Sequence, residues 1–104
     1  MKALSALADP TRQRIVEMLA GGELSAGDIA ARFSISRPAV SQHLRVLRDS
    51  GLVTVRGDAQ RRIYTLEAGG LDELEAWLAR CRGFWAARLD RLEQRLQEEE
   101  ERGT

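Results

Sequence analysis

Cysteine and histidine each occur once in this chain of 104 residues, and proline occurs only twice. The single cysteine, Cys81, cannot form a disulfide within the chain, and with one histidine it cannot build an ordinary Cys/His zinc site. No apolar run approaches the ~18–20 residues that a membrane-spanning helix needs, and the N-terminus lacks the apolar core of a signal peptide. We therefore expect a cytoplasmic protein with neither a metal nor a membrane anchor.

An excess of one charge is also missing, since 16 Lys and Arg side chains balance 16 Asp and Glu. Domains that bind nucleic acid are often strongly basic, so the total alone argues against that partner. The distribution reverses this inference. Residues 1–66 have a net charge of +4 and residues 67–104 of −4, and the stretch 32–62 holds seven arginines against two acids. The middle of the chain is therefore basic and its end acidic.

Helix signals dominate the first half of the chain, beginning with a short helix near the N-terminus. Asp9-Pro10 is typical of an N-cap followed by the first helical position, and Gly21-Gly22 is typical of a helix end. Ser25 is expected to begin a short helix. Ser36 is a candidate N-cap for the next helix, which should stop at Gly51.

The pattern then changes to alternating, β-branched segments. Leu52–Arg56 and Arg62–Leu66 predict the strands of a hairpin over residues 52–66, with Gly57–Gln60 as the turn.

Beyond the hairpin, Gly69-Gly70 is expected to break the chain, and apolar residues at steps of three and four predict one helix over 71–100. The predicted fold is mainly α with a small β-hairpin, in the order α-α-α-α-β-β-α, as a single domain over residues 1–104.

A short helix, a three-residue turn and a second helix over residues 24–50, followed by a basic hairpin, indicate a winged helix-turn-helix. At 100° per residue, Val40, Leu44 and Leu47 share one side of the second helix. The opposite arc holds arginine, serine and glutamine, and its one carboxylate is Asp49 in the last turn. Because an α-helix fits the major groove, where these side chains can bind base edges or phosphates, the arc predicts a DNA-reading face.

Ser41, Gln42 and Arg45 are the candidates for contact with base edges, and Arg37 and Arg48 for contact with phosphate. The complete set of predicted DNA-binding residues is Ser36, Arg37, Ser41, Gln42, His43, Arg45, Arg48, Arg56, Arg61 and Arg62.

These residues also have structural interpretations. The DNA-reading face could be an ordinary solvated helix face, and Ser36 could act only as an N-cap. His43 lies near the inward side of its helix and could be a packed or capping histidine. The hairpin arginines could serve only to protect an edge strand from aggregation.

The last helix contains both tryptophans and a leucine stripe, which is more apolar surface than the rest of so short a chain is expected to cover. Pairing with a second copy would bury this stripe, so we predict a homodimer through the terminal helices. The two recognition helices would then address half-sites ~34–36 Å apart. The predicted interface residues are Leu4, Leu74, Trp77, Leu78, Cys81, Phe84, Trp85, Leu89, Leu92 and Leu96.

The runs Ala6–Arg12, Arg14-Ile15 and Leu24–Ala30 resemble the opening of ArsR-type (arsenic-repressor-like) winged-helix regulators. Ser36–Val53 resembles the family most specifically, and the likeness covers about residues 3–96. The resemblance implies a bacterial or archaeal dimeric repressor of a short palindromic operator.

Metal-sensing members of that family have cysteines in the helix before the recognition helix, where this chain has Ser25 and Gly27. Others have Asp and His ligands on the last helix, where this chain has no histidine. The family's metal sites therefore do not carry over. The tail, with Phe84-Trp85 and Arg88–Glu93, is similar to a metal-free subgroup, so we expect no metal and no other cofactor. The sequence does not identify an inducer.

Three functional classes can be compared. The first is a sequence-specific repressor that blocks polymerase sterically, and the second is a winged-helix module that binds protein instead of DNA. The seven arginines of the stretch 32–62 and the arc of arginine, serine and glutamine argue against the second. The third class is an enzyme, and the chain lacks a Ser-His-Asp set, a Gly-rich phosphate loop and a spaced metal-ligand cluster.

Overall fold

A computed structural model describes residues 1–103 of the chain. The elements in chain order are α1 (Lys2–Ala6), α2 (Pro10–Ala20), β1 (Leu24–Ser25), α3 (Ala26–Ala30), α4 (Arg37–Asp49), β2 (Val53–Asp58), β3 (Arg61–Leu66) and α5 (Ala68–Gly103). They form two compact units, Met1–Leu74 and the helical remainder from Glu75 onward. The order of elements in the first unit is that of a winged helix-turn-helix, as predicted, while a single domain over 1–104 stays a prediction.

Side-chain caps begin the helices where the sequence predicts. Asp9, Ser25 and Ser36 each accept the backbone N–H of the third residue along, at 3.0, 3.1 and 3.3 Å. Such a cap contributes about 1 kcal/mol relative to alanine. These caps set the start of α2, α3 and α4, and so fix the frame of the helix-turn-helix.

The core of the first unit confirms the predicted inward face of α4. Val40, Leu44 and Leu47 are at most 2% exposed and pack in one cluster with residues of α1, α2, α3 and the sheet. The other large side chains that are fully buried are Ile15, Ile29, Leu52 and Val53. Because three inward residues of α4 are fixed in this core, the opposite side of the helix is held toward solvent.

The sheet has three strands, so the predicted two-stranded hairpin was incomplete. β1 pairs antiparallel with β3, and β3 pairs antiparallel with β2. The order α-α-α-α-β-β-α missed β1 because a strand of only two residues, Leu24–Ser25, has no alternation to detect. The strands also extend further toward the turn than predicted, since β2 continues to Asp58 and β3 begins at Arg61. The turn is therefore Ala59-Gln60 instead of Gly57–Gln60.

The prediction that Gly69-Gly70 breaks the chain was wrong, as were the bounds 71–100. α5 begins at Ala68 and continues to Gly103. Gly70 is buried in the first turn, where its N–H donates to the carbonyl oxygen of Gly51 at 3.0 Å. A Cβ atom at position 70 would lie 2.3 Å from that oxygen. Glycine is needed there because two backbones touch.

Candidate DNA-binding site

A concave groove of about 470 Å³ separates α4 from the hairpin of β2 and β3. We call it the recognition groove. Its lining residues are Ala26, Pro38, Ser41, Gln42, Arg45, Arg48, Arg62 and Tyr64. Three of these are arginines and none is a carboxylate, so the groove presents positive charge and hydrogen-bond donors.

Helix α4 supplies five of the eight lining residues because its buried and exposed faces alternate with helical period. Ser41, Gln42, Arg45 and Arg48 are all exposed on the side away from the core. The structure thus brings together the three predicted base contacts and one predicted phosphate contact. A helix with this face has the chemistry to enter a major groove.

The pleat of the hairpin divides its three arginines between two faces. The antiparallel register pairs Gly57 with Arg62 and Asp58 with Arg61. Because successive residues of a strand point to opposite faces, Arg62 shares the face of Tyr64 and lines the recognition groove, whereas Arg61 points to the other face. Arg56 occupies that other face as well. The structure therefore brings one of the three predicted hairpin contacts to α4 and leaves two outside the groove.

Arg56 is engaged by a residue that the sequence analysis did not single out. Its two terminal nitrogens donate to the two carboxylate oxygens of Glu23 at 2.5 and 2.9 Å. Both side chains are about half exposed. The hydrogen bonds from Arg56 lower the pKa of the Glu23 carboxyl below its usual value. The partners are 33 residues apart, so no local pattern in the sequence could have linked them.

The ring of His43 faces away from the recognition groove, toward the start of α2. Its Nδ1 atom lies 3.3 Å from the guanidinium of Arg12 and 3.8 Å from a carboxylate oxygen of Asp9. A guanidinium can only donate, so Nδ1 is the acceptor in this contact. This geometry favours the packing interpretation, and a DNA contact by His43 stays a prediction.

The Asp9 carboxylate itself is held ionised by the start of α2. The pKa of Asp9 is lowered chiefly by the hydrogen bond from the backbone N–H of Arg12, and the charge on His43 when protonated would lower it further. The same Arg12 side chain donates to the carbonyl oxygen of Ala6 at 2.6 Å. This network joins the end of α1, the start of α2 and the back of α4.

The remaining predicted contacts lie at the start of α4. Ser36 is exposed and serves as the N-cap, so one of its two interpretations is observed directly. Arg37 lies with Ser41 beside a smaller cavity of about 120 Å³ between α3 and α4, next to Gly27. Arg37 is thus close to the recognition groove without lining it.

The second unit exposes most of the predicted dimer stripe. Phe84 and Trp85 are more than half exposed and meet edge to face, with ring centroids 5.6 Å apart. The other exposed members of the stripe in this unit are Leu78, Leu89, Leu92 and Leu96. Trp77 and Cys81 are half-buried. In the first unit, Leu74 is half-buried and Leu4 of α1 is 40% exposed.

Within residues 1–103, no three His, Cys, Asp or Glu side chains are grouped so that they could hold a metal ion. In the same part of the chain, no helix is both long enough and apolar enough to cross a membrane.

Fold and recognition groove together define a winged helix-turn-helix regulator, and comparison with known proteins specifies the family. A family model described as a helix-turn-helix domain matches residues 7–56. The HTH-type transcriptional regulator Rv2034 of Mycobacterium tuberculosis is 48% identical over 85% of this chain and 79% of its own length. The transcriptional repressor SdpR of Bacillus subtilis is 37% identical over 70% of this chain and 81% of its own.

Solved structures agree with the sequence relatives. A possible transcriptional regulator for arsenical resistance is 46% identical, with a TM-score of 0.74 over 88% of this chain and 93% of that one. An ArsR family transcriptional regulator gives a TM-score of 0.75 at 29% identity, over 82% and 93% of the two chains. This chain belongs to the ArsR family of transcriptional regulators. It is a DNA-binding regulator and not an enzyme, which confirms the predicted class.

Proposed function

We propose that the protein is a homodimeric repressor that acts in the cytoplasm and reads a palindromic operator through the recognition groove. The observation that carries this proposal is the composition of the groove. It joins the donors of α4 to Arg62 of the hairpin and contains no carboxylate. A protein-binding module would have no need for a groove that combines three arginines with no acidic side chain.

Within the groove, Ser41, Gln42 and Arg45 are assigned to base edges, because they lie on the exposed arc of α4. Arg48 and Arg62 are assigned to phosphates on either side. Phosphate contacts fix the register of the protein on the duplex, and base contacts specify the sequence.

The homodimer is supported by the second unit, where six large apolar side chains are between 44% and 62% exposed. Soluble monomers rarely leave so continuous a stripe uncovered. A two-fold dimer would present two recognition grooves to two half-sites about one helical turn apart. Repression is supported by the name of the Bacillus relative, and the mechanism would be steric exclusion of polymerase.

We further propose that the repressor has no metal cofactor. The absence of a candidate ligand group in residues 1–103 and of any histidine after His43 supports this. Cys81, half-buried on the apolar stripe, is assigned a packing role at the interface.

Selection of bound sequences from random DNA tests the proposal most directly. We expect a palindrome whose half-sites are spaced by about one helical turn, ~10 base pairs. The affinity of the recovered duplex should fall steeply as salt rises, because arginine–phosphate contacts release counterions. Recovery of no common sequence, or an affinity that does not change with salt, would contradict the proposal.

Replacing Arg45 by alanine should relax the base preference at one position of each half-site. If Arg45 makes a bidentate contact to a guanine, the loss is about 1–3 kcal/mol per contact. The matched control is Arg14→Ala, which removes the same charge from α2 outside the groove. Selection repeated with both variants checks the prediction, and an unchanged preference for the Arg45 variant would remove this residue from the base-reading set.

A further inference from the structure

We infer that Glu23 is a positioning residue for DNA binding, because its ion pair with Arg56 holds the hairpin so that Arg62 faces the recognition groove. This inference rests on the proposed function and assigns Arg56 a role through the hairpin instead of a direct DNA contact. We call the pair of Glu23 and Arg56 the wing clamp.

The geometry of the wing clamp fixes direction as well as distance. Two parallel hydrogen bonds, of 2.5 and 2.9 Å, join the guanidinium of Arg56 to both oxygens of Glu23. A planar guanidinium that binds a carboxylate in this way cannot rotate without losing one bond. Both terminal nitrogens of Arg56 already have a partner.

The wing clamp spans the whole width of the sheet. Glu23 directly precedes β1, which is one edge strand, and Arg56 lies on β2, which is the other. The register places Ser25, Ile63 and Arg56 in one row across the three strands. Ile63, in the middle of this row, is only 5% exposed although it lies outside the main core cluster. The clamp therefore ties β2 to the strand nearest α3, across the strand that carries Arg62.

Beyond the clamp, little else holds the tip of the hairpin. Every residue from Gly57 to Arg62 is exposed. The residue opposite Arg62 is Gly57, which has no side chain to support it. The orientation of Arg62 toward α4 thus depends on the backbone ladder and on the last side-chain contact before the tip, which is the wing clamp.

If Arg56 contacted phosphate directly, removing the charge of Glu23 would change the DNA affinity in the opposite direction. If Glu23 competed with phosphate for Arg56, removing its charge would free Arg56 and strengthen DNA binding. If the wing clamp orients Arg62, the same change weakens binding. Position 23 therefore separates the two roles without altering any residue of the groove.

The experiment measures affinity for the duplex recovered by selection. Glu23→Gln keeps the shape of the side chain and removes its charge. We expect affinity to fall about two- to fivefold, the factor that corresponds to the loss of an exposed ion pair. The matched control is Glu17→Gln, which removes an exposed charge from α2 and should not weaken binding. Since both partners are half exposed, the thermal unfolding midpoint should change little.

Two double variants complete the test. Exchanging the charges with Glu23→Arg and Arg56→Glu should restore affinity to within about twofold of the wild type, because the pair is rebuilt. In an Arg62→Ala background, Glu23→Gln should have no further effect, because the clamp acts through Arg62.

The inference is overturned if Glu23→Gln binds DNA as tightly as the wild type or more tightly. It is also overturned if the exchanged pair binds more weakly than Glu23→Arg alone or Arg56→Glu alone, or if Glu23→Gln causes the same loss of affinity in the Arg62→Ala background. Failure of the wild type to bind any selected duplex would instead contradict the proposed function.

Discussion

A protein carrying both Leu92→Glu and Leu96→Glu is expected to sediment at the mass of one chain, 11.6 kDa, and to bind the selected duplex about a hundredfold more weakly or worse. The two leucines are 52% and 54% exposed and lie outside the core cluster of the first unit, so the substitutions should not strain the chain itself. In a dimer, however, two carboxylates per chain would be buried against the partner's leucines, at a cost of several kcal/mol for each uncompensated charge. The affinity falls because a monomer binds only one half-site at a time. In the dimer, binding of one half-site raises the effective concentration at the other, which increases affinity by a factor of ~10²–10⁴.

The control for added charge uses the same helix. Gln94→Glu with Gln97→Glu introduces two carboxylates within the same segment, and at 100° per residue both positions lie well away from the leucine stripe. This variant should remain dimeric and keep its operator affinity. Sedimentation velocity at one protein concentration measures both variants. If the leucine variant sediments at the mass of two chains, the stripe is not the interface, and the proposed dimer through the terminal helices is wrong.

Features set by local physics were predictable from the sequence. The inward face of α4 follows from the spacing of Val40, Leu44 and Leu47, and the caps at Ser25 and Ser36 follow from side chains that reach the N–H groups of the next turn. Helical period then fixes the exposed arc of α4 without any knowledge of the rest of the fold. For this reason the sequence alone predicts that the polar groove residues of α4 are neighbours, namely Ser41, Gln42, Arg45 and Arg48.

Features set by pairing between distant segments were not predictable. The sequence places Arg56, Arg61 and Arg62 near one hairpin tip, but only the strand register shows that Arg62 alone faces α4. The partner of Arg56 is 33 residues away and precedes a strand too short to be recognised. Periodicity shows which residues lie on one face of a helix or strand. It carries no information about a charge pair between two different elements.

Gly70 shows the same limit most clearly, because the pair Gly69-Gly70 was interpreted as a helix break. Glycine is common at helix ends, where its backbone can adopt conformations that other residues avoid. At position 70, glycine is needed because there is no space for a side chain. The Cβ atom of any other residue would lie 2.3 Å from the oxygen and 2.6 Å from the carbon of the Gly51 carbonyl group. Local sequence cannot distinguish these two uses of glycine.

We expect Gly70→Ala to destabilise the protein by about 3 kcal/mol, at the upper end of the cost of overpacking. The clashing atoms belong to backbone, so no side chain can move aside, and the bond from the Gly70 N–H to Gly51 would lengthen as the segments separate. For a domain of this size the thermal midpoint should fall by roughly 15 °C. Unfolding must be compared at equal protein concentration, because a dimer is stabilised by mass action.

Gly69→Ala is the matched control, since it adds the same methyl group one residue earlier. Its Cβ atom would have no neighbour closer than 4.0 Å, and alanine is the better helix former, so its midpoint should be equal or higher. A Gly70 variant as stable as the Gly69 variant would show that the contact with Gly51 is not needed. Gly51 directly follows the recognition helix, after its C-cap at Ser50. The contact that requires glycine at position 70 therefore lies between the end of the DNA-reading helix and the start of β2.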